Sequence, residues 1–174
     1  MSIKKDFSSR YFLAEKNLIL FLVFITLSVL VMTIIFVFSH QTADVSALLS
    51  DGLSDAILDN IESDDSSTKA LHFVILRTII RKFAHLFLFT SLGVFLTGAA
   101  INFKAQKPFV KYLFVLLTGL VYGAIDEIHQ IFIDGRSSEF IDVILDFSGV
   151  LLGVVFAIIF YKILQIIAKK RKIN

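Results

Sequence analysis

Tyr122 to Gly153 reads YGAIDEIHQIFIDGRSSEFIDVILDFSGVLLG. Two apolar runs meet at a short turn, and their facing ends carry Asp126, Glu127, His129, Gln130, Arg136, Glu139, Asp142 and Asp146. Ionisable groups inside a bilayer cost on the order of 2.5–3.5 kcal/mol each at the centre by insertion scales. A concentration of them at the ends of two apolar helices is therefore not expected by chance. Read at helical spacing, Asp126 shares a face with Tyr122, His129 and Gln130. On the following run, Glu139, Asp142, Asp146, Gly149 and Gly153 form one continuous stripe. Its first half is acidic. Its second half is small and lets another helix approach closely, as in small-xxx-small packing.

Working outward, the 174 residues are 56% hydrophobic, and mean hydropathy is +0.82. An ordinary soluble domain is roughly 45–50% apolar. The excess lies in long blocks, which predicts an all-α integral membrane protein, a bundle of four transmembrane helices. A hydrocarbon core of about 30 Å needs roughly 20 helical residues. The spans are read at 18–38, 78–101, 109–132 and 140–167, with a basic N-terminus at 1–17 and a basic tail at 168–174. The first apolar run is too long for a cleavable signal peptide. With no cysteine, disulfide and thiolate chemistry are excluded.

Residues 39–77 form the one sizeable hydrophilic connection. Val45, Leu48, Leu49, Leu53, Ile57 and Ile61 recur at helical spacing, with Asp51, Asp55 and Asp59 on another face, so an acidic amphipathic helix is expected between spans one and two. Arg77, Arg81 and His85 then share a face at the start of span two, with Lys82 beside it. Most basic residues flank the N-terminus, the 104–111 connection and the C-terminal tail, whereas the acids gather on the other side. The positive-inside rule places both termini in the cytoplasm and the polar ends of spans two to four on the outer side.

Three chemistries suit this cluster. In the first, Arg136, Arg81, Lys82 and His85 neutralise Asp126, Glu127, Asp142 and Asp146 in a structural network. In the second, Arg136, Arg81 and Lys82 hold an anionic headgroup, while the carboxylates and Gln130 bond its polar substituents. In the third, Asp126, Glu127, His129, Asp142 and Asp146 serve as acid–base groups or ligands for a divalent cation. No H-E-x-x-H or similar signature is present, so no cofactor is expected and a divalent cation is not the favoured reading. A proton pathway would distribute acids through the membrane depth, and here the inner half is nearly bare. A helix of a partner protein against Gly149 and Gly153 is a further expectation. His72 reads as interfacial and His40 as a turn residue. The phenylalanines read as lipid-facing or packing groups, and nothing implies nucleic acid binding.

Tyr122-x3-Asp126-Glu127-Ile128-His129-Gln130-x-Phe132-x2-Gly135-Arg136-x5-Asp142-x3-Asp146-x2-Gly149-x3-Gly153 resembles the signature of the VanZ-like membrane proteins. Arg81-Lys82-Phe83-Ala84-His85 resembles the family's basic opening of the second span, and Phe38-Ser39-His40-Gln41-Thr42 its exit from the first. The resemblance covers residues 38–153. The family is named for low-level resistance to the glycopeptide teicoplanin in Gram-positive bacteria. The resemblance therefore implies a bacterial plasma-membrane protein linked to the cell envelope, and it implies no particular reaction. Combined with the residues, it leads to an outward-facing pocket for an envelope lipid or lipoglycopeptide. An intramembrane enzyme using Asp126, Glu127 and His129, and a non-catalytic accessory subunit, are the alternatives.

Overall fold

A computed structural model describes residues 2–41, 66–103, 107–134 and 139–171. Those residues form four α-helices and no strand: α1 Ser2–Ser39, α2 Ser66–Asn102, α3 Pro108–Gln130 and α4 Phe140–Lys170. The expected acidic helix over residues 44–65 lies outside the described residues, as do Gly135 and Arg136. Among the described residues, four segments are long and apolar enough to cross a membrane: Asn17–Ser39, Val74–Asn102, Pro108–Gln130 and Phe140–Lys170.

Helix α2 starts upstream of its apolar span, at Ser66, so residues 66–77 continue the spanning helix instead of belonging to the connection. No proline or glycine interrupts the sequence from Ser66 to Leu92, and nothing there breaks the backbone ladder. Pro108 occupies the first turn of α3, where a missing N–H costs nothing. Several hydroxyls along the spans bond carbonyls of their own helix, as Ser28 does with Phe24 and Thr90 with Leu86, which satisfies them without water.

Helix α2 is central. It packs most extensively on α4 and also touches α1 and α3, while α3 lies against α4. The apolar core is small: Val31 and Ile35 of α1, Phe89 and Leu92 of α2, Val115 of α3, and Val150 and Val154 of α4. Bulky groups such as Phe83, Phe87, Phe114, Phe132 and Phe140 point outward, while Ser39, Asp126, Glu127, Gln130 and Asp146 are buried. Polar groups inside and large apolar groups outside is the arrangement a lipid solvent favours, since lipid gives no reason to hide leucine or phenylalanine.

The glycines set the α2–α4 distance. A Cβ at Gly153 would stand 2.2 Å from the Thr90 carbonyl oxygen, one at Gly149 would stand 2.8 Å from that of Leu86, and one at Gly93 would stand 2.4 Å from that of Val150. The two backbones are therefore in contact, and the small face of α4 is occupied by α2 of the same chain. A helix from another protein would have to displace α2 to use Gly149 and Gly153.

Gly153→Leu must push backbone from backbone. It should cost at least about 1–3 kcal/mol by overpacking, seen as loss of the monodisperse species on gel filtration in detergent and a lower unfolding temperature. Gly123→Ala is the control. Its Cβ would make only ordinary contacts, the nearest at 3.5 Å, and its unfolding temperature should match wild type.

Candidate functional site

All four helices deliver polar groups to one end of the α3–α4 pair. Ser39 closes α1, Asp126 to Gln130 close α3, and Asp142 and Asp146 lie in the opening turns of α4. Arg81, Lys82 and His85 reach the same level from the middle of α2. Two subsites are distinguishable.

The first surrounds Asp126, which is 3% exposed. Its Oδ2 accepts hydrogen bonds from Ser39 Oγ at 2.7 Å and from Gln130 Nε2 at 3.0 Å. One turn below, the Tyr122 hydroxyl donates to the Met32 carbonyl at 2.5 Å. These bonds join α3 to the end of α1. The neighbouring Glu127 is also buried, and its Oε1 accepts the backbone N–H of Glu139 at 2.8 Å. Glu139 is the N-cap residue of α4. An N–H just outside the helix is thereby satisfied by a carboxylate from α3, which fixes how α4 starts relative to where α3 ends.

The second subsite lies between α2 and α4. Lys82 forms an ion pair with Asp142 and lies 3.8 Å from Glu139. His85 Nδ1 lies 3.9 Å from Asp146 Oδ1. Arg81, Lys82, His85, Glu127, Gln130, Asp142, Leu145 and Asp146 line a cavity of about 20 Å³. Lys82 and Glu139 are partly open to the outside, whereas Asp146 is buried, so the site has a rim and a floor.

Most of the expected site residues are brought together: Arg81, Lys82, His85, Glu127, Gln130, Asp142 and Asp146 line one cavity, and Asp126 stands behind it. Arg136, expected to hold an anionic headgroup together with Arg81 and Lys82, lies outside the described residues. His129 meets the end of α1. Its Nε2 lies 3.2 Å from Nδ1 of His40, and the two rings stack with Phe36. His40 is thus a partner of α3 as well as a turn residue. The histidine that joins the buried carboxylates is His85. Ser39 escaped the sequence reading as a site residue because a serine ending an apolar span reads as the exit to water. Its role depends on a carboxylate far along the chain.

The family model VanZ/LLP1 matches residues 24–161. The chain belongs to this family. No curated protein and no solved structure matches it.

Ser39→Ala removes a donor from a buried carboxylate and should destabilise the protein by about 1–3 kcal/mol, measured as a fall in unfolding temperature in detergent. Ser28→Ala removes only a hydroxyl bonded within its own helix and should leave that temperature within error of wild type.

Proposed function

We propose that this VanZ-family protein sits in the bacterial plasma membrane with both termini in the cytoplasm. Its polar site faces the envelope and binds the anionic or glycan-bearing headgroup of an envelope lipid or lipoglycopeptide. The observation that carries this reading is Arg81. It lines the cavity, yet it makes no hydrogen bond or ion pair among the described residues, whereas the adjacent Lys82 is committed to Asp142 and Glu139. A guanidinium at the end of a membrane bundle, with its donors unspent, suits a phosphate or carboxylate held bidentately.

The cavity volume divides the labour. About 20 Å³ accommodates a single small species and not a headgroup. The headgroup therefore lies at the rim, against Arg81 and Lys82, and directs one polar substituent towards Gln130, Asp142 and the floor. Its acyl chains run along the apolar outer surface into the hydrocarbon, while the rim stands at the depth of the surrounding headgroups. Arg136 enters this picture through the sequence alone, as a basic residue in the stretch that links α3 to α4. An amphiphile of this kind fits the family's association with teicoplanin, and altered glycopeptide susceptibility is the phenotype in which the binding would be felt.

The test compares lipids retained by the detergent-purified protein, by mass spectrometry of the intact complex, in wild type, Arg81→Lys and Arg81→Ala. Wild type should retain an anionic lipid of defined mass. Losing a charge-assisted contact worth about 1.5–3 kcal/mol should cut retention on the order of ten- to a hundredfold in Arg81→Ala. Arg81→Lys should show partial loss, because the charge remains and the fork does not. Equal retention of the same lipids by all three proteins contradicts the reading.

A further inference from the structure

At the floor of the cavity, and just behind it, three helices bring three donor atoms together. His85 of α2, Asp126 of α3 and Asp146 of α4 each present one nitrogen or oxygen atom, and these atoms lie within 4.8 Å of one another. Asp126 and Asp146 are both buried. The 3.9 Å between His85 Nδ1 and Asp146 Oδ1 is too long for a hydrogen bond. A second, independent observation concerns Asp126. Its Oδ2 is engaged by Ser39 and Gln130, but Oδ1 is buried without a hydrogen-bond partner among the described residues. An unsatisfied buried acceptor costs about 1–3 kcal/mol, and more when charged.

Four carboxylates, Asp126, Glu127, Asp142 and Asp146, converge here against two cations, Arg81 and Lys82, and Lys82 is spent on Asp142 at the rim. Two carboxylates facing each other in a low-dielectric setting need a proton or a cation between them. The adjoining space of about 20 Å³ has the size for one water or one monatomic ion.

We infer that His85, Asp126 and Asp146 hold one first-row divalent cation, Zn²⁺ or Mn²⁺. An imidazole nitrogen with two carboxylate oxygens suits these ions, whereas Mg²⁺ and Ca²⁺ favour oxygen alone. Three protein ligands leave coordination positions open towards the cavity, as in sites that exchange a ligand. Around zinc, ligand atoms 2.0–2.2 Å from the metal lie about 3.3 Å apart, so the trio draws in by roughly an ångström as the ion enters, through carboxylate rotation. Ser39 and Gln130 are the outer partners that orient the Asp126 carboxylate. The ion also ties α2, α3 and α4 together at the level where Arg81 presents its guanidinium. This site does not require a bound headgroup.

The full-length protein in detergent is stripped with chelator, passed through gel filtration, and titrated separately with Zn²⁺ and Mn²⁺. Bound metal is counted by plasma mass spectrometry. Wild type should retain one ion per chain. Asp146→Asn and His85→Ala should each weaken binding by about tenfold or more, at unchanged helicity by circular dichroism. Failure of wild type to retain either ion overturns the inference, and so does equal retention by the variants, which would place the ion on surface acids. Co²⁺ gives a readout that needs no variant. A tetrahedral nitrogen–oxygen site produces visible bands that Zn²⁺ abolishes stoichiometrically, and a spectrum identical to aqueous Co²⁺ overturns the inference. Retained lipid is measured on the same samples. Loss of the metal result with lipid retained removes this site alone, and the converse removes only the headgroup reading.

Discussion

A carboxylate in the end of a membrane helix must be supplied with donors or countercharge, and Asp126 is where this chain meets that demand. At 3% exposure it has no access to bulk water, so its partners come from the bundle itself. Ser39 can donate only if α1 ends at the height of the last turns of α3. Gln130 can donate only if α3 remains helical to its own last turn. The Tyr122 bond to Met32 fixes the same pair of helices one turn deeper. The vertical register of α1 against α3 follows from satisfying these few polar atoms, because the lipid around them offers no alternative partner.

The lateral arrangement has a different cause. Gly149 and Gly153 on α4 and Gly93 on α2 bring the two backbones into contact. Dispersion between helices in lipid rewards such close approach. The consequence reaches beyond packing. The same face of α4 that carries the glycines carries Asp142 and Asp146 two turns closer to its start, so the approach that buries the glycines also sets Lys82 and His85 opposite those carboxylates. Helix–helix contact and the polar site are two parts of one stripe, and Glu127 holding the N–H of Glu139 keeps that stripe in phase with α3.

Much of this was legible from the residues alone. Four apolar blocks define the spans, and the 3.6-residue period puts Glu139, Asp142, Asp146, Gly149 and Gly153 on one face whatever helix meets it. What that face meets was not legible. Gly93, Gly98, Gly119 and Gly123 all offer small surfaces elsewhere in the chain, and only the assembled bundle selects α2 as the partner. The pairing of Lys82 with Asp142 and of His85 with Asp146 follows from that choice. His129 illustrates the opposite case. Its spacing from Asp126 is local, whereas its stacking with Phe36 and His40 at the end of α1 is encoded by no periodicity. Ser39 and His40 acquired their roles from residues 87 and 89 positions away, a separation beyond any local pattern.

The headgroup site must open on the envelope side of the membrane to meet an envelope lipid, and the absence of cysteine makes that directly measurable. Single cysteines at Glu139, beside the site, and at Lys170, at the far end of α4, are labelled in intact cells with a membrane-impermeant maleimide. The account predicts labelling at position 139 in intact cells, and at position 170 only after the membrane is permeabilised. The reverse pattern would place the site in the cytoplasm and contradict the account.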